Sequence, residues 1–239
     1  MKQNNHHHNK SMAALSAAIP ITLPICAAFS FLGLSYGLYS ASEGFSFWYP
    51  MITSALIFAG AMEFVTITLL LSPFNPVAAF LMALMVNSRH LFYGLSMLEK
   101  FRGTGWKKFF LIFGMCDETF AINCTVDPGK DIDKGYFMMW VTFLNQLYWV
   151  VGSTIGGILG NSISINTKGL DFALVALFMA IFVSQWQSSE NHGPAIVGLV
   201  LPTICLIFIG PAHFIPPAML LIIISFIIVY YKGGVRSHD

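Results

Sequence analysis

Long apolar runs alternate with short polar connections along this chain, and eight of the runs approach the roughly 20 residues that a helix needs to cross a hydrocarbon core. They are Met12–Tyr39, Pro50–Leu71, Phe74–Met97, Phe109–Val126, Gly135–Gly160, Phe172–Gln187, Pro194–Ile209 and Ile215–Tyr231. The pattern predicts an all-α polytopic membrane protein. Residues 12–231 form a single transmembrane domain, after a disordered polar tail (1–11) and before a cytoplasmic tail (232–239). Pro20 and Pro24 interrupt the first run, Pro202 the seventh, and Pro216 and Pro217 the start of the eighth. Each removes a backbone donor, so kinks or breaks are expected at these places.

The basic residues orient the segments. Lys2 and Lys10 precede the first, Lys100, Arg102, Lys107 and Lys108 lie between the third and fourth, and Lys232 and Arg236 follow the eighth. The positive-inside rule puts all three groups in the cytoplasm and leaves the acidic 127–133 stretch, Glu43 and Glu190 outside. Eight full crossings violate that assignment, because three crossings carry the 100–108 loop to the wrong side. About six full crossings with two broken or re-entrant segments satisfy it. The third segment, which holds polar residues, and the short seventh are the expected pair. The first segment would then run outward and the fifth inward, giving halves 12–126 and 135–231 of inverted topology, as in many secondary transporters. Glycines four apart, Gly33 and Gly37 in segment one and Gly152 and Gly156 in segment five, offer faint support and serve equally as close helix-packing positions.

Composition agrees with a membrane chain: of 239 residues, 56% are hydrophobic and 10% charged, with a mean hydropathy of +0.71. There is no basic stripe for nucleic acid. Four cysteines stand singly without CxxC spacing, so neither a zinc site nor a disulfide framework is expected, and no metal or cofactor. The run His6-His7-His8 is a tag or a weak metal-binding tract.

Against this background a few polar residues stand out. Asn87-Ser88-Arg89-His90 lies inside the third segment, and an arginine at that depth costs at least about 2.5–3.5 kcal/mol unless a counter-charge, ligand or cavity receives it. Glu63, Asp117 and Glu118 lie at comparable depth. Arg89 can clamp an internal carboxylate or that of a substrate through its planar fork. Asp117 and Glu118 are neighbours, so on a helix they point about 100° apart and cannot both face one ligand. Glu63 is deep enough to require a partner or a proton, and His90 is of the residue type best suited to pass protons under physiological conditions, so these two are the proton-coupling candidates. Gly33-Leu34-Ser35-Tyr36-Gly37 matches G-x-S-x-G, which signals a serine nucleophile only on a strand-to-helix turn beside a histidine such as His90 or His192.

The blocks Phe58-Ala59-Gly60-Ala61-Met62-Glu63-Phe64-Val65, Asn87-Ser88-Arg89-His90-Leu91-Phe92-Tyr93-Gly94, Phe113-Gly114-Met115-Cys116-Asp117-Glu118-Thr119-Phe120-Ala121 and Ala176-Leu177-Phe178-Met179 occur in this order. In them the chain resembles the AzlC/YgaZ family, large subunits of bacterial branched-chain amino acid exporters. The resemblance implies an inner-membrane exporter of leucine, isoleucine, valine and related apolar amino acids, working with a small AzlD-type membrane subunit. One departure stands out: Glu63 occupies a position where the resemblance implies glutamine, which leaves substrate identity or the coupling mechanism open. The reading that follows is a secondary transporter, not an enzyme, with protons as the plainest coupling ion. Arg89 takes the substrate carboxylate and Asp117 or Glu118 its ammonium, with Asn87 in the same polar break and Phe92, Met62 and Phe120 around the apolar side chain. The alternatives are a scaffold or channel-like subunit whose buried charges only hold helices together, and an intramembrane serine protease.

Overall fold

In the computed structural model every regular element among the described residues is an α-helix. Those residues are 2–73, 75–162, 175, 179, 182–183, 186–187, 191–210 and 214–234. Most of the sixth apolar segment, residues 176–178 of the fourth block, Glu190 and Arg236 lie outside them. The chain divides into two units, Met1–Leu174 and Val175–Asp239.

The first unit is built on two long helices, α1 (Lys2–Ser42) and α8 (Lys134–Ser162). They lie side by side and parallel. Trp140 Nε1 donates to Ser11 Oγ at 3.1 Å, Thr22 and Tyr148 hydroxyls meet at 3.2 Å, and the Phe29 and Trp149 rings meet edge to face at 5.6 Å. Further along, glycine lets the backbones touch. A Cβ on Gly37 would stand 2.1 Å from the Ser153 carbonyl oxygen, and one on Gly156 2.2 Å from that of Leu34. The glycines four apart are therefore packing positions that face one another across the two helices. "Lower" below denotes the end where α1 and α8 begin, and "upper" the end where they finish.

Between them the chain makes two hairpins of opposite sense. Helix α2 (Trp48–Leu56) starts at the upper end, with Pro50 against Gly157. It descends until Ser54 meets Ser153 at 2.9 Å and the Ala55 carbonyl accepts Gln146 Nε2 at 2.9 Å. The chain then turns through 57–59, where Phe58 takes φ +48°, a left-handed conformation uncommon for a side chain of this size. Helix α3 (Gly60–Leu71) climbs back: Gly60 lies against the Trp149 indole, and Phe64 packs on Tyr36 and Tyr39 with centroids 5.2 and 5.9 Å away.

Helices α4 (Pro76–Asn87) and α5 (Arg89–Met97) then run to the lower end, where Met97 packs with Ala14, Ala18 and Phe101. From there α6 (Lys107–Phe113) rises, with the Lys107 ammonium 3.7 Å over the Tyr136 ring at its start and Gly114 against Thr142 at its top. The turn at Gly114-Met115-Cys116 is extended at Cys116 (φ −125°, ψ 179°), and α7 (Asp117–Thr125) descends from Thr119, beside Asn145, to Asn123 and Cys124, whose carbonyls accept the Lys100 ammonium. In the second unit, α9 (Gly193–Ile209) and α10 (Ile215–Gly234) pack on each other.

Several expectations need correcting. The segments that turn back are the second and fourth, not the third. Ser88, between α4 and α5, keeps helical angles (φ −54°, ψ −31°), so the polar tetrad does not reverse the chain. The prolines do not break their helices either: α1 continues through Pro20 and Pro24, and α9 through Pro202. Helix α1 begins at Lys2. The first and fifth segments run parallel rather than inverted; the inverted pair is the two hairpins. The acidic 127–133 stretch lies at the same end as the basic loop, held there by Lys100 at the end of α7 and by Lys134 3.3 Å from Asp127.

Candidate functional site

The tip of the second hairpin faces the junction of α4 and α5. Asp117 is the first residue of α7, where a helix N-terminus favours a carboxylate. Arg89, the first residue of α5, donates from Nη1 to Asp117 Oδ2. Tyr93, one turn further along α5, donates its hydroxyl to Asp117 Oδ1 at 2.9 Å, so both carboxylate oxygens are engaged. The Phe120 ring stacks on Tyr93 at 4.4 Å between centroids. The pair is only partly enclosed, with side chains 34% exposed for Arg89 and 24% for Asp117.

A cavity of about 250 Å³ borders His90, the residue after Arg89, and is lined also by Gly94, Leu98, Phe101, Lys108, Ile112 and Met115. His90 Nδ1 lies 3.2 Å from the Asn87 carbonyl, and its ring meets Tyr93 edge to face. The Arg89–Asp117 pair places a cation and an anion side by side, the two charges that a zwitterion carries.

The residues singled out in the sequence distribute unevenly. Arg89, Asp117, Phe120, His90 and the Asn87 carbonyl come together, with Glu118 half-buried in the same first turn of α7. Phe92 does not join them: it is 60% exposed on α5, because its position turns it away from Asp117. Met62 is buried, but on α3 in the other hairpin. Sequence reasoning missed Tyr93, although its i+4 spacing from Arg89 places both on one helix face. Ser35 sits inside α1 with its hydroxyl on the Phe31 carbonyl at 3.0 Å, not on a strand-to-helix turn.

The first hairpin carries its own acid. Glu63 is fully buried in the first turn of α3, and its neighbours are neutral donors and hydroxyls. Oε1 accepts the Ala59 N–H at 3.0 Å and the Trp149 indole N–H at 3.1 Å, and Oε2 lies 2.8 Å from Ser54 Oγ. Among the described residues no ion pair includes Glu63, and no group of three or more metal-ligating side chains is present.

Residues 24–163 match the family model of the AzlC protein. The chain belongs to the AzlC family. It is 53% identical to the branched-chain amino acid transport protein AzlC of Bacillus subtilis, over 92% of this chain and 87% of that one. An uncharacterized membrane protein of Haemophilus influenzae is 36% identical over 92% and 91%, and the inner membrane protein YgaZ of Escherichia coli 27% identical over 71% and 72%. No solved structure matches. The AzlC match spans both hairpins and the Arg89–Asp117 pair, so the site lies in the part of the chain that defines the family.

Proposed function

We propose that this AzlC-family protein is a secondary transporter that exports branched-chain and related apolar amino acids across the bacterial inner membrane, coupled to protons, together with a small AzlD-type membrane subunit. The observation that carries this reading is the Arg89–Asp117 pair at the tip of a hairpin, with a cavity bordering His90 next to it in the chain. A zwitterion can insert into such a pair. Its carboxylate takes the guanidinium fork, its ammonium takes Asp117, and its side chain lies along Leu98, Ile112 and Met115. Asp117 exchanges one cation for another, so no uncompensated charge is created.

The two ends of α1 and α8 are read as the two membrane faces. Among the described residues one helix, Lys10–Ser42, is long and apolar enough to cross by itself. If α1, the α4–α5 pair and α8 cross while the two hairpins turn back, the N-terminus and the 100–108 loop share the cytoplasmic side, as the positive-inside rule asks. The identity to a protein named for branched-chain amino acid transport supports the substrate class.

A scaffold reading is favoured by one fact, that Asp117 already has both oxygens occupied by protein donors. Efflux of labelled leucine from proteoliposomes separates the two. A transporter releases leucine faster when a proton gradient is imposed, whereas a scaffold releases none beyond protein-free vesicles, with or without the small subunit.

A further inference from the structure

Counting hydrogens around Glu63 gives its protonation state. Three short oxygen contacts form a chain: Glu63 Oε2 to Ser54 Oγ at 2.8 Å, Ser54 Oγ to Ser153 Oγ at 2.9 Å, and Ser153 Oγ to the Trp149 carbonyl at 2.6 Å. A carbonyl has no hydrogen to give and each serine hydroxyl has one, so the serines supply two hydrogens for three contacts. Ser153 uses its hydrogen on the Trp149 carbonyl, and Ser54 must then donate to Ser153. The remaining hydrogen has to come from Glu63. Its other oxygen, Oε1, accepts the Ala59 N–H, and the Trp149 indole N–H is shared between Oε1 at 3.1 Å and Oε2 at 3.2 Å.

We propose that Glu63 is a protonation site held as the neutral acid in this conformation, and that the Ser54–Ser153 pair is the latch its proton closes between the first hairpin and α8. This deepens the proton-coupled reading given above and rests on it for its role in transport. When the Oε2–H bond breaks and the proton leaves to water, Ser54 turns its single hydrogen to the new carboxylate. The Ser54–Ser153 contact then has no hydrogen between its oxygens, so α2 loses that tie to α8. Reprotonation reverses both steps. The other titratable groups facing Glu63 are the phenols of Tyr36 on α1 and Tyr49 on α2, and Tyr36 is engaged with Thr53 at 2.8 Å. From α8 the facing groups are Trp149 and Ser153, and neither titrates in this range.

The test is infrared spectroscopy of the purified protein in lipid nanodiscs at pH 7, in H2O and in D2O. A protonated-carboxyl C=O band that shifts on deuteration should be present in the wild type and lost in Glu63→Gln. The glutamine variant should melt at the wild-type temperature, since its amide N–H donates to Ser54 while its C=O accepts from Ala59 and Trp149. Ser153→Ala frees the Ser54 hydrogen for the carboxylate, so the band should weaken at the same pH. A band at full strength in Glu63→Gln, or one undiminished in Ser153→Ala, overturns the proposal. Should Glu63→Gln not fold, the serine variant alone decides. Leucine efflux with unaltered pH dependence in Glu63→Gln, alongside loss of the band, would sink the coupling role while the neutral acid stands.

Discussion

Replacing Arg89 separates a substrate residue from a brace. Changing it to alanine leaves Asp117 with the Tyr93 hydroxyl alone. Breaking a fully buried ion pair costs about 3–5 kcal/mol, and an exposed one contributes about 0–1 kcal/mol. With side chains 34% and 24% exposed the pair lies between these limits, so the alanine variant should lose on the order of 1–3 kcal/mol. Changing Arg89 to lysine keeps the positive charge for Asp117 and forfeits the planar fork. If the fork also binds the substrate carboxylate, one charged hydrogen bond worth about 1.5–3 kcal/mol disappears from the complex. That amounts to a roughly 10- to 150-fold weaker leucine affinity. The measurements are leucine binding by titration calorimetry and thermal unfolding, on both variants in the same detergent. The lysine variant should melt near the wild type and bind poorly. A lysine variant with wild-type leucine affinity refutes the assignment and leaves Arg89 as a helix brace.

Tyr93→Phe should lower stability by about 1 kcal/mol through loss of the hydroxyl on Asp117, while the ring stack on Phe120 persists; an unchanged thermal midpoint would count against that hydrogen bond. Gly156→Ala puts a methyl group 2.2 Å from the Leu34 carbonyl oxygen, so α1 and α8 must separate at a cost of about 1–3 kcal/mol; a variant as stable as the wild type would contradict the parallel contact. Asp127, fully exposed in the loop after α7, is held below the usual carboxylate range by the Gly129 N–H and then by Lys134. A depressed carboxylate stabilises above its unfolded pKa, about 4, and loses that contribution as the pH falls through its folded value. The small advantage of the wild type over Asp127→Asn in thermal midpoint should therefore be present at neutral pH and vanish in acid, and an advantage that grows on acidification would show the sign to be wrong.

The helices were largely legible from hydropathy, and so was the ion pair that joins α5 to α7. Gly135–Gly160 anticipates α8 almost to its ends, and Arg89 finds one of the three carboxylates expected for it. What hydropathy could not distinguish was a segment that crosses from one that returns, because both are equally apolar. The turn at 57–59 depends on a left-handed Phe58, which no residue preference announces. Prolines looked like the natural breaking points, yet a long packed helix absorbs the loss of single hydrogen bonds, as α1 does at Pro20 and Pro24. Nothing in the sequence marks Trp149, which is buried near the middle of α8 with its indole N–H on Glu63.

The two hairpins present acids in matching places, Glu63 in the first turn of α3 and Asp117 in that of α7. Their surroundings differ in charge. Asp117 has a guanidinium, so a net-neutral zwitterion can enter without changing the local charge, while Glu63 has neutral partners, so its proton is what keeps that tip neutral. On the reading proposed here, communication between the two events therefore needs a mechanical link, and α8 supplies one. Asn145 Nδ2 donates to Thr119 in the second hairpin at 3.0 Å, and Trp149, four residues on and so on the same face, donates to Glu63 in the first. Asn145 is fully buried and its Oδ1 has no hydrogen-bond partner among the described residues, so this contact holds only half of what the amide can bind. Asn145 and Trp149 thus tie the two hairpin tips to one face of α8, one turn apart, so that on the proposed reading a displacement of this helix is felt at both acids.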